Sequence, residues 1–174
     1  MRRWTASLRA IEGIEADRAR LRMTLAYRFS DDVQAGIELN PLAPDIGPIA
    51  NWRALRETGA RPALIFGTSS DRIGTPHGRA IYGTLSKDLE AWTKLPVAPY
   101  AGASFGTYDD ELVPIGGIVV RWAERFSTTS LYDGHNIHHI ASYARDDGIA
   151  FGVVLAEQDG EHFLGLSLSA GFGK

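Results

Sequence analysis

Apolar and polar residues alternate along most of the chain from residue 20 onward. Residues 33–40 repeat the pattern of residues 20–29 after a short Ser-Asp-Asp turn. Successive side chains of a β-strand point to opposite faces, so a period of two predicts a β-hairpin here. The apolar positions of the first strand are Leu21, Met23, Leu25, Tyr27 and Phe29.

Strand-like segments continue to the C-terminus, separated by turns that contain Gly, Asp or Pro. The longest connection is expected over residues 41–60, where three prolines precede a possible helical turn. The pattern predicts an all-β fold, an antiparallel up-and-down β-barrel of about 8–10 strands. The further predicted strands cover residues 61–69, 79–86, 97–107, 112–122, 127–132, 137–145, 149–157 and 162–172.

The first residues follow a different pattern. Leu8, Ile11 and Ile14 have helical spacing, so residues 1–19 are predicted to be a short N-terminal helix or a disordered lead-in, and residues 20–174 the barrel domain. Met1-Arg2-Arg3 carries positive charge, but no apolar segment of a secretory signal follows it. We therefore expect either a protein that is not exported or a chain that lacks its export signal.

The second face of the predicted strands distinguishes two kinds of barrel. A soluble barrel places its apolar face inward, whereas a membrane barrel places that face in lipid. In residues 97–107, 149–157 and 162–172 the other face is mostly Gly, Ala and Ser, which suits a crowded lumen better than a surface in water. Only three of the 18 cationic residues are lysines, the residue that most often protects water-exposed sheet edges.

Three segments carry a resemblance to a known class of proteins. PVAPYAGASFGTYDD, AYRFSDDVQAGIELN and FLGLSLSAGF resemble strands of bacterial outer-membrane β-barrel proteins, over roughly residues 20–172. RPALIFGTSSDRIGT followed by LSKDL is similar to segments of barrels associated with exopolysaccharide secretion. The resemblance implies an outer-membrane location, lipid as a partner, and polysaccharide or a small solute as the candidate cargo.

Composition excludes several other classes. The 174 residues fit one domain, and the formal net charge of −3 gives no basic surface for nucleic acid. The chain has no cysteine, so thiol catalysis, disulfides and Cys-ligated metals are excluded.

A serine hydrolase is one alternative function. Gly102–Gly106 matches the G-x-S-x-G pattern, with Ser104 as nucleophile, and Asp109 or Asp133 and then His135, His138 or His139 follow in hydrolase order. That chemistry needs Ser104 on a sharp strand-to-helix turn, but the residues after it have no helical period. The pattern favours a strand with small residues on one face.

The histidines of the HNIHH segment are the candidate metal ligands. Imidazoles bind zinc, but on a strand His138 and His139 point to opposite sides. The Asp pairs 31/32, 109/110 and 146/147 are typical of turns. We therefore predict no catalytic, cofactor-binding or metal-binding residues and no cofactor.

The sequence favours a non-enzymatic outer-membrane barrel with a structural, porin-like or surface-export-related role. A soluble β-barrel that binds a small apolar ligand is the main alternative. The two differ in the direction of the Leu, Ile and Val face, which is outward in the first and inward in the second.

Overall fold

The computed structural model describes residues 2–173. Met1 of the predicted lead-in and Lys174 of the predicted barrel domain lie outside them. Within this range the chain forms twelve strands and two one-turn helices, α1 (Asp17–Arg20) and α2 (Glu90–Thr93). The strands are β1 (Trp4–Ile11), β2 (Leu21–Arg28), β3 (Val33–Asn40), β4 (Asp45–Leu55), β5 (Ala63–Ser70), β6 (Arg79–Ser86), β7 (Val97–Gly106), β8 (Glu111–Arg121), β9 (Phe126–Tyr132), β10 (Ile137–Ala144), β11 (Ile149–Gln158) and β12 (Glu161–Phe172).

The strands form one closed antiparallel barrel. Each strand pairs with its neighbours in sequence, and β1 pairs with β12 from Trp4 opposite Phe172 to Ile11 opposite Gly165. Because the sheet is closed, no strand within residues 2–173 is an edge strand. The predicted fold class is confirmed, with more strands than the 8–10 expected from the sequence.

The first additional strand corrects the prediction of a lead-in over residues 1–19. Residues 4–11 alternate as a strand does, and β1 completes the barrel. The helical spacing misled the prediction because Ile11 ends the strand and Ile14 lies in the turn after it. The helix in this region is only α1, so the barrel domain includes most of the predicted lead-in.

The second additional strand is β4, in the segment predicted as a long connection. Pro41 and Pro44 lie in the turn before β4, whereas Pro48 lies within it, opposite Ile37 on β3. The pairing of β4 with β5 begins only at Ala50. The part of β4 that contains Pro48 is therefore paired on one side, a position that tolerates proline.

The apolar face of the strands points outward. On β12, Leu164 and Leu166 are 61% and 63% exposed, while Gly165 between them is buried. On β3, Ile37 is outward and half-exposed, and Glu38 is fully buried. Other outward, exposed residues are Leu8, Met23, Leu25, Leu39, Ile46, Trp52, Phe66, Ile81, Leu85, Phe105, Leu112, Ile118, Ile137, Phe151, Val153, Leu155 and Leu168.

The buried apolar core is small and lies toward one end of the barrel. Ile11, Ile14, Ala16 and Ala19, from the end of β1 and the turn to β2, pack against Val154 and Ala156 on β11. Ile73, from the connection between β5 and β6, packs against the same cluster. We call residues 12–20 and 71–78 the plug segments, and the end where they lie the plugged end.

Trp4 at the start of β1 and Phe172 at the end of β12 lie at the opposite end, which we call the terminal end. The connection that contains α2 also lies there. In the described part of the chain, no helix combines the length and hydrophobicity needed to cross a membrane.

Candidate functional site

The barrel interior holds most of the buried polar groups. Arg9, Arg22 and Glu38 point inward from β1, β2 and β3, because each occupies the non-apolar face of its strand. Arg22 donates from Nε and Nη2 to Glu38 Oε2, at 2.7 and 2.5 Å. Both donors converge on one carboxylate oxygen, and hydrogen bonds between two charged groups are stronger than those between neutral groups.

A second pair extends this network toward the plugged end. Asn40 donates to Glu38 Oε1 at 3.0 Å and to Asp45 Oδ2 at 3.4 Å, and Arg79 donates to Asp45 Oδ1 at 2.9 Å. Arg79 Nη1 lies 4.0 Å from Glu38 Oε1. Glu38 is fully buried, so these partners provide the hydrogen bonds that a buried carboxylate requires.

Arg18 joins the two plug segments across the barrel. Its guanidinium donates to the carbonyl oxygens of Thr75 (3.0 Å), Gly78 (2.6 Å) and Arg72 (3.3 Å), and to the Thr75 hydroxyl. Burial lowers the pKa of Arg18, and nearby carboxylates, Glu38 first among them, oppose that shift. Since the residue is almost fully buried, losing it would leave several carbonyl groups of residues 72–78 without donors.

His138 and Asp133 form a pair inside the wall of the barrel. The backbone N–H of Glu157 donates to His138 Nδ1 at 3.1 Å, so the ring proton lies on Nε2 and is donated to Asp133 Oδ2 at 2.8 Å. Burial opposes ionisation of Asp133, but hydrogen bonds from His138 and from the N–H groups of Asn136 and His135 outweigh it and lower the pKa of Asp133.

A cavity of about 240 Å³ lies between the middle of the barrel and the rim of the plugged end. Arg9, Arg22, Tyr82, Tyr100 and Ser104 line its inner part. The rim contributes mostly acidic residues and histidine, which are Asp71, Asp109, Glu111, Asp133 and His135.

The structure brings Ser104 and several predicted triad partners to this one cavity. Ser104 nevertheless lies within β7, an unbroken strand, and not on the strand-to-helix turn that the hydrolase pattern requires. Both ring nitrogens of His138 are hydrogen-bonded to groups other than Ser104. A Ser-His-Asp site needs a histidine that accepts the proton of the serine. His138 is engaged by other groups, so the His138–Asp133 pair provides no such base for Ser104.

The three histidines of HNIHH lie in three different environments. His138 is buried inside, His139 is outside and shares a hydrogen bond with Ser130, and His135 is half-exposed, 3.9 Å from Glu111. The opposite orientation of His138 and His139 agrees with the strand pattern. Among residues 2–173, no group of three His, Asp or Glu side chains is placed to hold a metal ion.

Sequence reasoning missed the residues that join the interior together. Arg9 and Arg18 both fall in the segment interpreted as a lead-in. The signal that could have identified Arg9 is the alternation of residues 4–10, with Thr5, Ser7 and Arg9 on one face. No local pattern identifies Arg18, because its partners are about 55–60 residues away in sequence.

Comparison with known proteins adds no family assignment. A scan against protein-family models gives no match, and a search of curated proteins gives no significant match.

The lowered pKa of Asp133 gives a pH-dependent contribution to stability. The folded value lies below the value of about 3.9 for an unfolded Asp, so the contribution is present above pH 4 and disappears as pH falls through the folded value. We expect Asp133→Asn to lower the free energy of unfolding at pH 7 by about 1–3 kcal/mol. Denaturant unfolding measured across pH should show this deficit shrinking below pH 4.

The matched control is Asp159→Asn, in the turn between β11 and β12. Asp159 has a positive φ of 54°, which asparagine also tolerates. This variant should follow the wild type at every pH. A deficit of Asp133→Asn that stays constant from pH 7 to pH 3 would contradict the assigned role of the carboxylate.

Proposed function

We propose that this protein is a membrane-embedded β-barrel of the bacterial outer-membrane type, with a structural or transport role and no catalytic one. Lipid is its proposed partner along the barrel wall, and a small solute or polysaccharide its proposed cargo. The observation that carries the proposal is the sorting of side chains between the two faces of the wall. A water-exposed surface of this composition would be an aggregation hazard.

On most strands, the residues of the outer face are suited to the hydrocarbon of a bilayer. Its exposed residues are mainly Leu, Ile, Val and aromatic, among them Leu112, Leu164 and Ile46, each more than 60% exposed. Charged side chains of the described strands point into the lumen or lie at strand ends. A lipid-facing charge at the bilayer centre costs about 2–4 kcal/mol, so this distribution is typical of membrane barrels.

Aromatic residues concentrate at the terminal end. Trp4 and Tyr27 pack edge-to-face with ring centroids 4.8 Å apart, and Tyr27 packs on Phe29 in the same way at 5.0 Å. Trp52 and Phe66 form another pair at 6.0 Å. Trp122, Phe126, Tyr143, Phe151 and Phe172 lie toward the same end of their strands. Such a girdle is typical of the membrane–water interface.

The soluble alternative requires the opposite arrangement. A soluble barrel that binds an apolar ligand needs an apolar interior, but the interior here contains Arg9, Arg22, Glu38 and two tyrosines. The apolar cluster inside is occupied by the chain's own residues 11–19. These observations favour the membrane barrel, and the experiment below discriminates between the two.

The position of the plug segments affects how a solute could pass through the barrel. Residues 71–78 reach across the barrel, with Ile73 against the β11 cluster and Gly74 beside Gln158. Arg18 ties them to α1. Passage of a solute would therefore require the plug segments to move, and the resting protein would be closed.

Membrane insertion is tested by replacing an outward leucine. In lipid vesicles, Leu166→Arg should lower the free energy of unfolding by about 2–4 kcal/mol, because its side chain would enter hydrocarbon. Leu95→Arg is the control, since Leu95 is a similarly exposed leucine in the connection after α2, and should change stability by about 1 kcal/mol or less. Flotation with vesicles and heat-dependent gel migration of the folded barrel provide the independent readout.

A monodisperse, detergent-free protein in which both arginine variants are neutral would contradict membrane insertion. It would favour the soluble alternative.

Closure by the plug segments is tested by conductance in planar bilayers. Arg18→Met removes the donors to residues 72–78, so we expect more frequent and larger openings than in the wild type. Arg20→Met is the control, because Arg20 lies on the same helix and bonds to Ile14 and Asp17 within its own segment. Equal conductance of the wild type and Arg18→Met would contradict a closing role for the plug segments.

A further inference from the structure

We propose that Arg9 and the neighbouring cavity wall bind a small oxyanion, such as a phosphate or a short-chain carboxylate, inside the barrel. The Arg9 guanidinium lines the cavity, and its Nε is buried with no hydrogen-bond partner within residues 2–173. In the same part of the chain, no carboxylate oxygen forms a salt bridge with Arg9. The Arg9 side chain is partly exposed overall, but a buried guanidinium nitrogen without an acceptor is costly, and an anion from solution would remove that cost.

The surrounding charges favour an anion over a cation at this position. Arg9 lies directly opposite Arg22 in the pairing of β1 with β2. Two Arg22 nitrogens donate to Glu38, whereas among residues 2–173 no salt bridge joins Glu38 to Arg9. At the cavity itself, Arg9 and Arg22 line the inner part, while the four carboxylates of the lining lie at the rim together with Arg72, so the positive charge is concentrated in the inner part.

Two hydroxyl groups on β7 lie on the wall of the same cavity. Tyr100 and Ser104, on β7, both line the cavity, and neither hydroxyl has a hydrogen-bond partner among the described residues. The Tyr82 hydroxyl, in contrast, already donates to Asn51 at 2.6 Å. A guanidinium and two free hydroxyls offer the donors that an oxyanion accepts.

Within the described part of the chain, the acidic residues that line the same cavity interact with other groups and not with Arg9, Tyr100 or Ser104. Asp109 pairs with Arg72, and Asp133 with His138. Asp71 accepts the backbone N–H of Tyr108 at 3.0 Å, and Glu111 lies 3.9 Å from His135. All four lie at the rim, where the strands end, so the deeper part of the cavity remains cationic.

The cavity size limits the ligand. At about 30 Å³ for each water molecule, 240 Å³ holds roughly eight waters. Phosphate, sulfate and dicarboxylates of three or four carbons fit that volume.

The test uses the purified full-length protein and two probes, inorganic phosphate and malonate, against sodium chloride at equal ionic strength. We expect one or both probes to raise the thermal unfolding midpoint with saturation. Arg9→Gln should weaken the apparent affinity at least tenfold. Arg61→Gln is the control, because Arg61 lies in the exposed connection between β4 and β5 at the opposite end, and it should respond as the wild type does.

A second variant keeps the test decisive if Arg9→Gln does not fold. Tyr100→Phe combined with Ser104→Ala retains Arg9 and should weaken binding several-fold. The response to phosphate compared with malonate identifies the preferred oxyanion. No saturable response to either probe, or an equal response of wild type and Arg9→Gln, would overturn the proposal. Because the protein is measured after purification, this result is independent of whether the barrel inserts into lipid.

Discussion

Closure of the sheet is the constraint on which the rest of this structure depends. The pairing of β1 with β12 satisfies the backbone groups that an open sheet would leave at its edges. Once the sheet is closed, every strand must divide its side chains between a wall facing outward and a confined interior. The strict period of two then places leucine and isoleucine on one side and arginine, glutamate, serine and glycine on the other.

The contents of the interior follow from that division. Charges that enter a confined space must find partners, and Arg22 and Glu38 do so across adjacent strands. The plug segments add the apolar packing that a polar lumen lacks, through Ile14 and Ile73. Arg9 is the exception, because Glu38 is paired with Arg22, the residue opposite Arg9. The cavity therefore contains a guanidinium without a carboxylate partner among the described residues, and this makes the cavity chemically specific.

The sequence could predict the wall of the barrel but little of its interior. The faces of β2, β3, β7 and β12 were predictable because each strand repeats its pattern over at least eight residues. The sequence did not predict β1, because Leu8, Ile11 and Ile14 match a helical spacing by coincidence. It did not predict β4, because Pro48 is tolerated in that strand only through one-sided pairing. The contacts of Arg18 and the isolation of Arg9 depend on which strands become neighbours, which a local pattern does not contain.

The central claim is that the leucine face of the wall lies in hydrocarbon. The chain has no cysteine, so single spin labels can be placed along β12 without background. In lipid vesicles, labels at Leu164, Leu166 and Leu168 should relax with oxygen, and labels at Phe163 and Ser167 should be shielded from it. Loss of this alternation, or preferential relaxation of the leucine positions by a water-soluble nickel complex, would contradict the account.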